Sequence, residues 1–136
     1  MSYGVSAALQ EAIYQHLAAD PALSAIVGTD VYDALPAGLL PPLYVVLGPE
    51  TVKDLSDKTS AGALHELTIT VVTDAAGFAQ AKTAAAAVSD ALVDAPLILA
   101  RGVLLSMQFY KAKAARVGTG DLRQINLIFR ARVADT

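Results

Sequence analysis

The stretch LHELTITVVT, residues 64–73, alternates apolar and polar side chains along most of its length. Leu67, Ile69 and Val71 fall on one side of an extended chain, and the glutamate and threonines between them fall on the other. A period of two residues is typical of a strand with one buried and one exposed face. The stretch therefore predicts a strand of this kind.

A long helix is predicted after this strand, from Ala75 to Val93. Asp74 is a suitable N-cap, because its carboxylate can accept a hydrogen bond from the first helical turn. Apolar residues recur every three or four positions, which indicates one buried helix face. That face comprises Phe78, Ala81, Ala85, Val88 and Leu92. Small side chains in the middle of the segment favour close packing of this helix against a sheet.

Two further alternating segments predict a hairpin at the C-terminal end of the chain. Between them, Gly118-Thr119-Gly120-Asp121 supplies residues that favour a turn. The inward positions of the first segment are Val103, Leu105, Met107 and Phe109. The inward positions of the returning segment are Ile125, Leu127, Phe129, Ala131 and Val133.

Before the strand at residues 64–73, the sequence predicts an amphipathic helix over residues 4–19, which Ser2 or Ser6 can cap. Its inward residues are Val5, Leu9, Ile13 and Leu17. The segment from Pro21 to Val27 predicts a short second helical turn. Brief strands are predicted at residues 31–33 and 43–47, on either side of an irregular segment with three prolines.

The polar residues 49–63, PETVKDLSDKTSAGA, have no sustained period and predict a long loop. A loop of this length in an ordered domain usually has a function. Together, the elements predict one domain over residues 1–136 with an α+β fold. We expect a mainly antiparallel sheet of four to five strands, with two helices packed on one face.

Composition excludes several classes of protein. Hydrophobic residues make up 54% of the chain and charged residues 17%, so an intrinsically disordered chain is excluded. There is no cysteine, which excludes disulfide scaffolds, thiolate metal sites and thiol catalysis. No apolar run reaches the ~18 residues that a membrane span needs, and the first residues do not resemble a signal peptide. We expect a soluble protein, assembled inside a cell, that does not bind a membrane.

No catalytic, cofactor or metal site is predicted. His16 lies beside the apolar stripe of the first helix, where a half-buried structural histidine is expected. His65 and Glu66 are neighbours on a strand, so they point to opposite faces and cannot share a metal ion. The pairs Asp54 with Asp57 and Asp90 with Asp94 have no apolar pocket that would raise a pKa for acid–base work. The sequence also lacks nucleophile-elbow and phosphate-loop motifs.

Charge is divided unevenly along the chain, whose net charge is −3. Residues 1–100 carry 3 basic and 11 acidic side chains, and residues 101–136 carry 7 basic and 2 acidic ones. Several basic residues alternate with apolar ones in the C-terminal hairpin, so they share one sheet face. The interface candidates among them are Lys111, Lys113, Arg130 and Arg132. Contact with a protein partner, an ordinary solvated face and contact with DNA phosphates are the three interpretations.

Several segments, in order along the chain, resemble a family of small phage tail-completion proteins. They are the run from Ala7 to Tyr14, Tyr32-Asp33-Ala34-Leu35-Pro36, Tyr44-Val45-Val46-Leu47-Gly48, Ser56-Asp57-Lys58-Thr59 with His65, and the run from Val72 to Phe78. The resemblance covers nearly the whole chain. It is greatest to the tail terminators of phage-like gene transfer agents and of related long-tailed phages.

The resemblance implies a structural virion protein rather than an enzyme, with no cofactor. Members form a hexameric ring at the head-proximal end of the tail tube, stop tube polymerisation and provide a surface for the head connector. The implied partners are further copies of the chain, the tube protein and the connector or stopper protein, while DNA passes through the ring without sequence-specific recognition. We expect assembly in the bacterial cytoplasm. Loop residues Asp54, Asp57, Lys58 and Thr59 are candidate contacts. The alternatives are another head–tail connector or minor tail protein, or a DNA-binding module.

Overall fold

The computed structural model describes residues 3–58, 61–118 and 120–135. Within these residues the chain forms three helices and five strands. The helices are α1 (Ser6–Ala18), α2 (Pro21–Val27) and α3 (Ala79–Leu92). The strands are β1 (Val31–Tyr32), β2 (Leu43–Asp54), β3 (Gly62–Thr73), β4 (Val103–Arg116) and β5 (Arg123–Ala134). None of the described helices is long and apolar enough to cross a membrane.

The strands form one sheet in the order β1-β2-β3-β5-β4. Strand β1 pairs with β2 in parallel, and every other neighbouring pair is antiparallel. The stretch 64–73 lies in β3 at the centre, where Leu67, Ile69 and Val71 are buried as predicted. Strand β5 covers β3 from end to end, with Ile125, Leu127, Phe129, Ala131 and Val133 on the same face. The predicted α+β class and mainly antiparallel sheet are confirmed.

All three helices contribute to a single core on that face of the sheet. The inward stripe of α1 is buried as predicted, because its four apolar residues recur at helical spacing. In α3, Ala81, Ala84, Ala85 and Ala87 are buried, so that the helix backbone lies close to the sheet. The expected number of two helices is wrong. The segment after Asp20 is a true helix, since the Asp20 carboxylate accepts a hydrogen bond from the Leu23 amide at 3.0 Å.

The long loop predicted at residues 49–63 is also wrong in its extent. Strand β2 continues to Asp54, and Glu50 to Asp54 pair in register with Leu67 to Ala63 of β3. Gly48 and Pro49 only interrupt the ladder, as a bulge between Leu47 and Glu50. Polar residues can extend this strand because one of its faces is exposed at the end of the hairpin. The connection between β2 and β3 is therefore residues 55–61.

Helix α3 starts four residues later than predicted, and Asp74 does not cap it. The N-cap is Phe78, which makes no side-chain capping bond. The Asp74 amide instead donates to the Pro42 carbonyl at 3.0 Å, and the Ala75 amide donates to Thr73 Oγ1 at 3.1 Å. The chain thus makes a turn at the end of β3 before the helix begins. The cap suggested for α1 is wrong as well, because its N-cap is Val5 and Ser6 lies inside the helix; Ser2 is outside the described residues.

The inward positions predicted for β4 are mostly wrong. Met107 is buried, but Val103, Leu105 and Phe109 are 49%, 63% and 44% exposed. Bulges between Leu104 and Ser106 and between Phe109 and Lys111 shift the alternation. In addition, β4 is the edge strand of the sheet. Both facts depend on tertiary structure and cannot be read from a period of two.

Candidate interface

The sheet surface opposite the helices is not covered by a helix, although Tyr44 and Val72 on it are buried, and we call it the open face. On β2, β3 and β5 it carries a mixture of threonines, amides and aliphatic side chains. Thr70 Oγ1 donates a hydrogen bond to Asn126 Oδ1 across two strands at 2.8 Å. The other members in the middle of this face are Tyr44, Val46, Thr68, Val72, Gln124 and Ile128. A partly apolar, weakly charged surface of this kind is suited to protein contact.

The four basic candidates of the hairpin share the open face. Lys111 lies opposite Ile128 and Lys113 lies opposite Asn126, so both project away from the helices. Arg130 and Arg132 are two residues apart on β5, and their neighbours in sequence are buried on the other side. Alternation predicted the shared face of Arg130 and Arg132, whereas Lys111 and Lys113 reach this face because of the bulge between Phe109 and Lys111. The role of the four residues in an interface stays a prediction.

Arg130 already has partners within the subunit. Its Nε lies 3.3 Å from Glu66 Oε2, and its guanidinium lies 3.5 Å from the centre of the Tyr110 ring. Tyr110 lies on β4, next to β5, and the ammonium of the following residue, Lys111, lies 5.5 Å from the centre of the same ring. Arg130 is thus held in place by a carboxylate and an aromatic face. Its charge is partly compensated, which weakens the interpretation of this arginine as a DNA phosphate contact.

Arg132 is exposed and has no ion-pair partner among the residues that the structure describes. It lines a shallow depression together with Leu55, Leu64, Ser106 and Gln108. Leu55 belongs to the connection between β2 and β3. The structure therefore brings one end of that connection next to Arg132, although the two are far apart in sequence.

The remaining candidates lie at the end of the β2–β3 hairpin. Asp54 ends β2, and its carboxylate accepts hydrogen bonds from the Ser56 amide at 3.0 Å and the Ser56 hydroxyl at 2.6 Å. These bonds lower the pKa of Asp54 below its ordinary value. Asp57 and Lys58 are exposed, and Thr59 lies outside the described residues. Asp54 therefore shapes the turn, while Asp57 and Lys58 are displayed at its surface.

Sequence reasoning missed a buried polar cluster on the helix side of the sheet. Glu50 accepts hydrogen bonds from the hydroxyls of Tyr3 and Ser6, and its Oε2 lies 3.3 Å from His65 Nδ1. Burial alone raises the pKa of Glu50, but the bonds from Ser6 and Tyr3 and the contact with His65 outweigh it, so the pKa is lowered. His65 is fully buried, and its Nε2 has no partner among the described residues. The cluster joins the start of α1 to β2 and β3. Treating residue 50 as part of a loop concealed it.

Neither histidine forms a metal centre with other residues. Within the described ranges, no three histidine, aspartate or glutamate residues are grouped so that they could hold a metal ion. His16 is half-buried, as expected, and its Nε2 lies 2.8 Å from the Ala91 carbonyl. His65 and Glu66 point to opposite faces, as predicted, because one contacts Glu50 and the other Arg130. Asp94 lies beyond α3, where it accepts a hydrogen bond from the Gln108 side chain at 2.9 Å.

A second surface that sequence reasoning missed lies between α3 and β4, and we call it the α3–β4 groove. Four of its nine lining residues are alanines, and its volume is about 310 Å³. It is lined by Lys82, Ala85, Ala86, Ser89, Phe109, Ala112, Ala114, Ile125 and Leu127. The phenylalanine contacts Phe129 edge-on at 5.9 Å. The small residues of β4 were the available signal, since alanine at alternate positions of an edge strand leaves space beside a helix.

Charge is distributed between the two edges of the sheet. Residues 28–42, around β1, carry Asp30 and Asp33 and no basic residue. Strands β4 and β5, at the opposite edge, carry six basic residues and no acidic one. These are Lys111, Lys113, Arg116, Arg123, Arg130 and Arg132. The uneven charge of the sequence is thus an uneven charge across the width of the subunit.

Comparison with known proteins finds matches that extend over most of the chain. The sequence profile of a family described as tail completion protein gp17 matches residues 11–134. A chain from a solved structure, the virion of a native gene transfer agent (GTA) particle, is 62% identical in sequence. The alignment covers 98% of this chain and 99% of that chain, with a TM-score of 0.94. No curated protein matches this chain.

Proposed function

This chain belongs to the tail-completion protein gp17 family, and from that membership we propose that it is a structural tail-completion component of a phage-like particle. In this proposal it forms a hexameric ring at the head-proximal end of the tail tube. The ring stops tube polymerisation and presents a surface to the head connector. DNA passes through its centre without sequence-specific recognition.

The observation that carries this proposal is the similarity to a chain of a GTA virion over 98% of this chain's length. At 62% identity and a TM-score of 0.94, the two chains share one fold. The charge division between opposite sheet edges supports the ring, because a head-to-tail contact brings the two edges of neighbouring copies together.

The experiment is deletion of the coding sequence in cells that produce the particle. Loss of a tail-completion ring should yield tails of irregular, excessive length and heads that carry no tail. Complementation with the intact chain should restore tails of uniform length joined to heads. Normal joined particles without the chain would refute the proposal. Heads without tails, accompanied by tails of normal length, would instead support the alternative of a connector protein.

The alternative of a DNA-binding module has one observation in its favour, namely the six basic residues of β4 and β5. It predicts that the isolated subunit binds double-stranded DNA, with an affinity that falls steeply between 50 and 200 mM salt by about a thousandfold or more. The tail-completion proposal predicts weak binding at most, since Arg130 is occupied by Glu66 and Tyr110. A salt titration of DNA binding distinguishes the two.

A further inference from the structure

The proline-containing segment between β1 and β2 displays a fully exposed leucine. Leu39 is 100% exposed, although the core of the domain has ample apolar surface nearby. The segment is anchored at both ends. Asp33 accepts a hydrogen bond from the Gln10 side chain, and the Pro42 carbonyl accepts one from the Asp74 amide at 3.0 Å. Gly38 has a φ of +90°, a conformation that side chains disfavour, and so forms the bend next to Leu39. The same segment also exposes Leu35 and Leu40 by 47% and 41%, and a group of exposed leucines is typical of a contact with another protein.

The α3–β4 groove has complementary properties. Its alanine-rich walls leave an apolar space between the helix and the edge strand, and Phe109 at its margin is 44% exposed. No described part of the same chain covers it. Its size suits one or two apolar side chains better than an extended ligand.

The leucine and the groove lie at opposite edges of the sheet, because β1 and β4 are the two outermost strands. Two different surfaces on opposite edges of one subunit can be joined only in a head-to-tail contact between copies, which is the contact that closes a ring. Charge agrees with this direction. Asp30 and Asp33 flank β1, whereas Lys82 lines the groove.

Resting on the proposed ring, we propose that Leu39 of one copy of this chain inserts into the α3–β4 groove of the next copy. Asp30 and Asp33 then approach the edge that carries Lys82, and the same contact repeats between every pair of neighbours. Ile98, which is 93% exposed, is a weaker choice for the inserted residue. Ile98 itself lines the groove along α1, so the inserted residue and the receiving surface would be the same patch. A contact of such a patch with itself relates two copies by a two-fold axis and ends at a dimer.

Cross-linking tests the contact directly, since the chain has no cysteine of its own. The test variant combines Leu39→Cys with Ala112→Cys, one in the inserted loop and one in the groove. Mild oxidation of purified particles should give a ladder of covalent oligomers that ends at one ring-sized band. The control variant combines Leu39→Cys with Ala7→Cys, an exposed position on α1, and should give no ladder. Each single-cysteine variant should give none either.

A second pair of variants measures the effect on assembly. Leu39→Asp should lower the yield of joined particles at least ~10-fold, because a buried unpaired carboxylate is strongly unfavourable. Ile98→Asp, an equally exposed position, should change the yield less than twofold. Both variants should keep the melting temperature of the wild-type subunit, since both side chains are exposed.

Joined particles that contain the test variant but give no cross-link would overturn this contact and leave the tail-completion role intact. A cross-link to another particle protein, or a normal yield with Leu39→Asp, would overturn it as well. Absence of the wild-type chain from particles would instead refute the proposed function itself. The ladder and the loss of yield together would establish the contact.

Discussion

Arg130 and Arg132 occupy equivalent positions two residues apart, yet the structure gives them different surroundings. Replacing Arg132 with Glu should change the free energy of unfolding by no more than ~0.5 kcal/mol, because the side chain is exposed. Replacing Arg130 with Glu should cost about 1 kcal/mol, since it removes the pair with Glu66 and places two carboxylates together. Urea unfolding of the two variants measures this difference.

The Arg132→Glu variant, together with Arg132→Lys, also tests the interface prediction. If Arg132 contacts an acidic neighbour, Arg132→Glu should lower the yield of joined particles, while Arg132→Lys should largely retain it because the charge is kept. Normal assembly with Arg132→Glu would mean that this arginine only solvates the sheet. Complete particles with poor DNA delivery would mean that it lines the channel.

Glu50 should make the stability of the subunit depend on pH. Its pKa in the folded state is lowered below its ordinary value, so the folded state binds its proton less tightly than the unfolded state does. Its stabilising effect is therefore fully present above the ordinary pKa and is lost as the pH falls through the folded-state pKa. Glu50→Gln should be destabilised at neutral pH by about 1–3 kcal/mol.

The measurement is urea unfolding of the wild type and Glu50→Gln at pH 7 and at pH 3. The difference between the two proteins should shrink at the lower pH. Glu11→Gln serves as a control, because Glu11 is exposed and contacts only Gln15 among the described residues. An equal difference at both pH values would show that the charge of Glu50 does not contribute.

At the scale of the element, α3 depends on small side chains. Ala84 is fully buried against the sheet, so Ala84→Leu should destabilise the subunit by about 1–3 kcal/mol through overpacking. Ala79→Leu, on the exposed first turn of the same helix, should leave the free energy of unfolding nearly unchanged. Thermal unfolding of both variants checks this. Equal melting temperatures would contradict the close approach of helix and sheet.

The β2–β3 connection offers a second prediction at this scale. Deleting residues 52–61 should unfold or strongly destabilise the subunit, because Val52, Lys53 and Asp54 pair with β3 and Val52 packs on the core. Replacing only residues 57–60 with Asn-Gly should preserve the fold, since that dipeptide favours a tight turn. Circular dichroism and melting temperature distinguish the two changes. If the connection is a contact surface, the shorter replacement should still reduce particle assembly.

At the scale of the whole molecule, the ring predicts a discrete mass. Particles or subcomplexes that contain the 14.1 kDa chain should release an oligomer of six subunits under mild conditions in native mass spectrometry. A continuous series of masses would indicate an open polymer, and a monomer as the only species in tail-associated material would refute the ring. The isolated subunit at low concentration is not the relevant sample, because a weak interface dissociates on dilution.

Whether an element could be predicted from this sequence depended on how fully it is buried. In β3, β5 and α1 one face is buried throughout, so that hydrophobic periodicity directly reflects the structure. Periodicity did not predict burial in β4, because the bulges and the edge position of this strand leave Leu105 and Phe109 exposed. The extension of β2 to Asp54 was not predicted, because pairing with β3, rather than apolar alternation, keeps residues 50–54 extended.

The same distinction holds for the candidate surfaces. Alternation within β5 correctly placed Arg130 and Arg132 on one face, whereas Lys111 and Lys113 share that face only because the bulge between Phe109 and Lys111 shifts the alternation of β4. The Glu50 cluster and the α3–β4 groove each join segments that are far apart in sequence. The formation of the cluster and of the groove depends on strand order and on helix placement, and the pattern of residues in one sequence specifies neither.

The unequal edges of the sheet also limit how copies of this protein can associate. Along β2, the outer edge is paired with β1 over only two residues and then interrupted by the bulge at Gly48-Pro49, where a proline has no amide hydrogen to donate. Growth of one continuous sheet through many subunits needs two uninterrupted edges, and this subunit has at most one. Such growth would end at the first pair. In the proposed role, a subunit that halts the growth of another polymer thus has sheet edges that do not propagate a fibre of their own.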